Sequence, residues 1–142
     1  MDKKRILAKF KELESYLDEL ESVKPGEFEE YLNSIEKKRS CERILQISIE
    51  TVLDICNILV SSLKLGIPAQ ESDIFIKLEN KKVISKRMAV ILDEMKGFRN
   101  IIVHKYAIVN DELVFEIISE RLGDFEKFKE EILTFINTIK KN

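Results

Sequence analysis

One long block of this 142-residue sequence, from about residue 34 to residue 65, has a middle that is apolar around most of the circumference of a helix. Its apolar residues are Ile44, Leu45, Ile47, Ile49, Val52, Leu53, Ile55, Ile58 and Leu59. A helix of this kind must be covered by other helices or by lipid. Polar residues interrupt the most apolar window, residues 44–60, which favours the central helix of a bundle over a membrane span. Among them are Gln46, Ser48, Glu50, Asp54 and Asn57.

Glycine and proline mark the boundaries of this central helix and of the helix before it. An amphipathic pattern over about residues 2–22 predicts a first helix, which Lys24-Pro25-Gly26 ends. The long apolar block then begins at Glu27 or at Ser34. It ends just before Gly66, which we expect to be the C′ residue, the first one beyond the helix.

Capping residues predict the remaining helices. Ser72 and Asp73 can cap a short helix, Ser85 the next one, and Asn110 a final region in which Gly123 marks a kink or a restart. The whole sequence contains only four glycines and two prolines, too few for the many turns of a β-sandwich or β-barrel. The sequence therefore predicts an all-α, up-and-down bundle of four to five helices.

The charge of the chain is nearly balanced but unevenly distributed. With 24 basic and 26 acidic residues the net charge is -2, which excludes a globally basic nucleic-acid-binding protein. Residues 81–105, however, hold seven basic and two acidic side chains, a local charge of +5 that leaves -7 for the rest of the chain. We interpret this segment as a basic region around the only histidine.

The cysteines and the first residues indicate a cytoplasmic protein. Cys41 and Cys56 lie on the same predicted helix, about 22 Å apart at ~1.5 Å per residue, whereas a disulfide requires Cα atoms within about 7 Å. They therefore cannot bridge each other within that helix, as suits a reducing compartment. Residues 1–5 lead into an amphipathic pattern, so a signal peptide is not expected.

One short segment could carry chemistry. Phosphate-binding glycine loops, zinc-ligand spacings and nucleophile elbows do not occur in the sequence, and no metal or other cofactor is expected. Arg99, Asn100, His104 and Tyr106 lie close together where a predicted helix ends. An imidazole, with an ordinary pKa of about 6.5, can transfer protons in RNA cleavage, and a guanidinium can bind the phosphate. Asn100 can orient the imidazole or cap the helix.

Each of these side chains also has a purely structural interpretation. A histidine at a helix end, such as His104, can be a surface residue that stabilises the helix dipole. Arg99 can pair with Asp93, with Glu94 or with carboxylates of the central helix. Tyr106 can be a half-buried packing residue.

At these residues the sequence resembles the HEPN superfamily, and more narrowly its HepT toxins, whose motif is R-x4-H-x-Y. Arg99, His104 and Tyr106 match that motif with its spacing. The segments Glu42-Arg43-Ile44-Leu45-Gln46 and Met95-Lys96-Gly97-Phe98 also resemble the family. The similarity covers nearly the full chain, so we expect one HEPN-like domain over residues 1–142.

The resemblance implies an enzyme, a metal-independent endoribonuclease toxin. It implies a homodimer in which Arg99 and His104 of both chains face a common cleft. It further implies an RNA substrate, either tRNA or mRNA, and a minimal nucleotidyltransferase as antitoxin, which silences the toxin by transferring AMP to Tyr106. One histidine per chain agrees with a dimer, because two imidazoles acting as base and acid would require two chains. No membrane partner is expected.

A polar stripe on the central helix has two interpretations. Its members, at steps of three, four and four residues, are Arg43, Gln46, Glu50 and Asp54. They can pair across helices or across the dimer, or they can line the catalytic cleft together with Lys96 and Lys105. For the whole protein, the alternative function is a non-catalytic module that binds nucleotide or RNA, or a helical protein that only docks a nucleotidyltransferase.

Overall fold

A computed structural model describes residues 1–104 and 110–140, and these residues form an all-α bundle without strands. The four long helices are α1 (Lys3–Val23), α3 (Ile35–Ser62), α5 (Lys86–Val103) and α7 (Gly123–Lys140). Three shorter helices lie between them: α2 (Phe28–Leu32), α4 (Glu71–Asn80) and α6 (Asp111–Glu120). The helical bundle predicted from the sequence is confirmed.

Helix α3 is the central element, as its apolar circumference predicts. It packs against α1 most extensively and also contacts α2, α4, α5 and α6. By length and composition alone α3 could cross a membrane, so the polar residues in its apolar window do not by themselves exclude a membrane span, as the sequence argument assumed. Burial identifies it as a core helix, because 61% of that window is buried inside the bundle.

Helices α1 and α7 cover one side of this core. α1 runs antiparallel to α3, because the Asp2 amide donates to Ser62 Oγ (3.4 Å) while Lys9 pairs with Asp54 (3.4 Å). α7 packs on α1 through the rings of Phe10 and Phe128, whose centroids are 5.8 Å apart. α7 also contacts the start of α5, because Glu131 accepts from the amide (2.6 Å) and the hydroxyl (3.0 Å) of Ser85.

Most helix boundaries follow the predicted caps. Ser34 Oγ accepts from the amide of Lys37 (3.2 Å), so the long block begins at Ser34, and the residues before it form the separate helix α2. Ser85 and Asn110 cap α5 and α6 in the same way. The predicted interruption at Gly123 is the start of α7.

Two boundaries differ from the prediction. The residue in the C′ position after α3 is Lys64 (φ 54°) rather than Gly66, because Leu65 N–H reaches Val60 C=O (3.0 Å) in a Schellman motif. α4 begins at Glu71, two residues earlier than a Ser72 cap would allow, and the Asp73 side chain accepts from the amides of residues 69 and 70. The backbone hydrogen bonds after α3 and the Asp73 carboxylate before α4 thus set these two ends.

Candidate active site at the end of helix α5

Helix α5 presents its last turn to solvent. Met95 and Phe98 are buried against α3, whereas His104, the C-cap residue, has an extended backbone (ψ 118°) and an exposed side chain. The His104 amide donates to the carbonyl of Asn100 (3.2 Å). Within the described residues the imidazole has no hydrogen-bond partner. The prediction that His104 lies exposed at a helix end is confirmed.

Arg99 lies five residues before His104, about 7.5 Å along the helix axis at ~1.5 Å per residue. Its side chain is only 17% exposed. Nη2 donates to both carboxylate oxygens of Glu71 (2.8 Å each), and Nε donates to Asn100 Oδ1 (2.9 Å). The expected alternatives for this guanidinium, pairing with Asp93, Glu94 or α3, are wrong, because the first turn of α4 reaches it instead.

The same contacts give Asn100 a role that differs from the expected one. Its side-chain oxygen accepts from the Arg99 guanidinium and not from an imidazole nitrogen. Its backbone carbonyl takes the last helical hydrogen bond, from the His104 amide. In this structure Asn100 therefore orients the arginine of the motif through its side chain.

Lys96, a predicted cleft residue, is held in place one turn before Arg99. Its ammonium group pairs with Asp93 (3.2 Å) and donates to Ser72 Oγ, which itself donates to Asp93 (2.9 Å). The hydrogen bond from the Ser72 hydroxyl is the main cause that keeps the pKa of the Asp93 carboxyl below its ordinary value; burial opposes it, and Lys96 lowers the pKa further through its hydrogen bond and its charge. This cluster joins the start of α4 to α5 directly below Arg99.

The polar stripe of α3 forms contacts of its own. Gln46 donates to Glu50 (3.0 Å) along the stripe, and Asp54 pairs with Lys9 of α1. Arg43 is exposed. In the described part of the chain no hydrogen bond or ion pair joins this stripe to Arg99 or His104. The contacts thus favour the structural interpretation, pairing along and between helices, for Gln46, Glu50 and Asp54.

The basic segment is not concentrated around the histidine. Four of its cations are exposed in the turn before α5 and in its first turn: Lys81, Lys82, Lys86 and Arg87. Lys86 lies 18 residues from His104, roughly 27 Å along the helix at ~1.5 Å per residue. Nearer the histidine, Lys96 and Arg99 are paired with carboxylates. The interpretation of a basic region around His104 therefore needs correction, because the exposed basic charge lies in the turn before α5 and at the start of that helix.

Two predicted site residues, Lys105 and Tyr106, lie outside the described residues. Among the residues that are described, no group of three or more His, Cys, Asp or Glu side chains is arranged to hold a metal ion. Cys41 and Cys56 are buried and free, in line with the argument that they do not bridge.

Sequence reasoning missed Glu71, which makes two of the three hydrogen bonds that the described residues form with the Arg99 side chain. Glu71 precedes Arg99 by 28 residues on another helix, so no periodicity or motif spacing connects them. The only available signal was its position beside the predicted N-terminus of a helix, one residue before Ser72. That position is common for acidic residues, because the helix dipole favours them there.

Known proteins resemble this chain over most of its length. Residues 13–132 match the family described as ribonuclease HepT-like. The tRNA nuclease HepT of Aphanizomenon flos-aquae is 28% identical over 89% of this chain and 86% of its own length. The mRNA nuclease HepT of Shewanella oneidensis is 36% identical over 59% of this chain and 63% of its own length.

A solved structure has the same architecture. It is the tri-AMPylated HEPN toxin of Shewanella oneidensis in complex with MNT antitoxin, which matches with a TM-score of 0.85 and 28% identity. The match covers 94% of this chain and 99% of that one. The chain belongs to the ribonuclease HepT-like family.

Proposed function

We propose that this protein is a cytoplasmic endoribonuclease toxin that cleaves RNA, without a metal ion, at a site built from Arg99 and His104. The observation that carries the proposal is the difference between the Arg99 and His104 side chains at the end of α5. A guanidinium fixed by Glu71 and Asn100 stands about one and a half turns from an exposed imidazole that has no partner in the described residues. The likeness to tRNA and mRNA nucleases supports RNA as the substrate.

The proposed reaction is attack of the ribose 2′-oxygen on the adjacent phosphorus. The O2′–P bond forms, the P–O5′ bond breaks, and the products are a cyclic phosphate and a 5′-hydroxyl. One imidazole accepts the proton of the 2′-OH while an acid gives a proton to the leaving O5′. Arg99 stabilises the charge that develops on the phosphate oxygens, because a guanidinium stays protonated and offers directed donors. His104 acts in proton transfer.

A second copy of the chain would complete this site. Each chain supplies a single histidine, so base and acid can both be imidazoles only when two copies meet. Ile101 and Val103, on either side of the last turn next to His104, are 40% and 45% exposed. These uncovered apolar side chains support a homodimer that brings the two ends of α5 together.

We propose a minimal nucleotidyltransferase as the antitoxin and Tyr106 as the acceptor of AMP. The Shewanella oneidensis HEPN toxin is described both as AMPylated and as bound to MNT antitoxin. Of the three tyrosines in this chain, Tyr31 is fully buried and Tyr16 is half-buried. An AMP on Tyr106, two residues after His104, would add bulk and negative charge where RNA must bind.

The experiment compares wild type with His104→Ala on a mixture of tRNA and mRNA in EDTA. We expect cleavage by wild type and a loss of at least ~100-fold in the variant, because general acid–base catalysis contributes about that much or more. Lys86→Ala, at the other end of α5, is the control and should retain activity. Equal cutting by His104→Ala would refute the assignment, and RNA binding without products would establish the non-catalytic alternative.

The same assay tests silencing when the protein is co-expressed with a candidate nucleotidyltransferase. Intact-mass and peptide mass spectrometry should find AMP on the peptide that contains Tyr106, with RNA cleavage lost, whereas Tyr106→Phe should escape modification. AMP on another residue only, or silencing without any modification, would contradict the proposed acceptor.

A further inference from the structure

The first turn of α4 reaches across to the last turns of α5 and holds the motif arginine. Glu71 is the first residue of α4, and its carboxylate accepts two hydrogen bonds of 2.8 Å from Arg99 Nη2. The Arg99 side chain is only 17% exposed, while Glu71 remains 47% exposed. The pair is therefore a packed contact at the edge of the bundle.

The contacts leave one part of the guanidinium available. Glu71 takes Nη2 and Asn100 takes Nε, so the plane of the group is fixed at two nitrogens. Among the described residues, Nη1 has no hydrogen-bond partner. The two N–H groups of Nη1 can therefore donate to an incoming phosphate oxygen, and the orientation of the guanidinium is set before RNA binds.

The surroundings of Glu71 are arranged so that its carboxylate can face α5. Asp73, not Glu71, accepts from the free amides at the start of α4, at 3.0 and 3.1 Å. Ser72 contacts Asp93 and Lys96 and so attaches the same turn of α4 to α5. Helix capping and attachment of α4 are thus provided by other side chains, which leaves Glu71 for Arg99.

We propose that Glu71 is a positioning residue for RNA cleavage, one that acts through Arg99 and does not touch the substrate; this inference rests on the proposed function above. The carboxylate occupies one terminal nitrogen and leaves the other for phosphate. That geometry orients the arginine, whereas a carboxylate that competes with RNA would cover both terminal nitrogens.

The test measures kcat and KM for steady-state cleavage of a short RNA by wild type, Glu71→Gln, Glu71→Asp and Glu71→Ala. Glu71→Gln keeps the shape but loses the charge and one acceptor. We expect its kcat to fall by about 10- to 100-fold, since an error of about 1 Å in a reacting group can cost about 100-fold, while KM changes little. Glu71→Asp should recover part of the rate, and Glu71→Ala should lose most of it.

Two controls separate positioning from stability. Glu79→Gln makes the same change later on α4 and should retain wild-type kcat. Circular dichroism at the assay temperature must show that each variant is folded. In an Arg99→Lys background, which lacks the planar fork, Glu71→Gln should cause less than a threefold further loss, because its effect passes through the guanidinium.

The outcomes are distinguishable. A folded Glu71→Gln protein with wild-type kcat, or an equal loss in the Arg99→Lys background, would overturn the positioning role alone. A higher kcat in Glu71→Gln would also overturn it and identify Glu71 as an inhibitor of the site. A wild-type protein that does not cleave RNA, or a His104→Ala variant that cleaves as well as wild type, would instead overturn the proposed function.

Discussion

Two lysines adopt backbone conformations that usually belong to glycine. Lys64 and Lys82 have φ of 54° and 63°, and each is the C′ residue of a Schellman motif, after α3 and α4 respectively. After α4, the amide of Val83 reaches the carbonyl of Leu78 (2.9 Å) and that of Lys82 reaches Glu79 (2.9 Å). The left-handed conformation costs a residue with a Cβ about 1–2 kcal/mol. These two positions therefore carry local strain that backbone hydrogen bonds offset.

At the residue scale we predict that Lys82→Gly stabilises the protein. Glycine removes the strain but has more freedom to lose in the unfolded chain, so the free energy of unfolding should rise by about 0.5–1 kcal/mol. Urea unfolding followed by circular dichroism measures the change. The control is Lys81→Gly next to it, where φ is -80° and glycine should lower stability by up to ~1 kcal/mol. Equal effects of the two changes would contradict the argument.

At the residue scale, the sequence identified the arginine of the motif but not the side chains that hold it. R-x4-H-x-Y identifies Arg99 and its spacing to His104. Glu71 became visible only in the folded chain, since a hydrogen bond over 28 residues leaves no local trace. The enclosed guanidinium depends on that contact, and the exposed imidazole depends on its position at the helix end.

At the scale of elements, the junction between α4 and α5 supports the site. Ser72, Asp93 and Lys96 form one cluster, and Glu71 with Arg99 forms the next contact along α5. Capping residues predicted both helices from the sequence, because a cap depends on residues only three positions apart. Which faces of the two helices meet depends on packing, and no local pattern indicates it.

This junction should make stability depend on pH in the acid range. The folded-state pKa of Asp93 is lowered, mainly by the Ser72 hydroxyl and then by Lys96, so the ionised carboxylate favours folding. That stabilisation is fully present above the ordinary carboxyl pKa of about 3.9 and is lost as the pH falls through the lower folded value.

We predict that Asp93→Asn reduces the difference in Tm between pH 7 and pH 3, as measured by thermal unfolding. Asp93 is half exposed, so solvent screening keeps the effect small. Asp18→Asn, an exposed change on α1, should leave the wild-type difference intact. A larger acid sensitivity in Asp93→Asn would mean that the junction does not stabilise the carboxylate.

At the scale of the whole molecule, contacts between helices show which helix termini lie at each end of the bundle. The N-terminus of α1 lies beside the C-terminus of α3, where Asp2 meets Ser62. Lys38, near the start of α3, pairs with Asp111 of α6 (3.0 Å), seven residues after His104. His104 therefore belongs to the end of the bundle opposite the N-terminus of α1, and a dimer through His104 would leave that N-terminal end free.

We predict that Ile101→Asp yields a monomer and lowers RNA cleavage at least ~10-fold, because a charge at the end of α5 opposes its burial against a second copy. Light scattering measures the mass and the RNA assay measures the activity. Leu7→Asp, an equally exposed apolar position (41% against 40%) at the other end, should leave both unchanged. A dimeric, fully active Ile101→Asp protein would exclude this interface.

The sequence by itself determined the helical class, the central place of α3, most caps, the unpaired cysteines and the Arg99–His104 motif. All of these depend on composition, on periodicity or on residues within a few positions of one another. The tertiary structure alone decided that α2 is separate, that the exposed basic charge lies before α5 and at its start, and that Glu71 holds Arg99 while Asp54 pairs with α1. These features depend on which helix faces meet, and that choice minimises exposed apolar surface over the whole bundle, so no single segment can encode it.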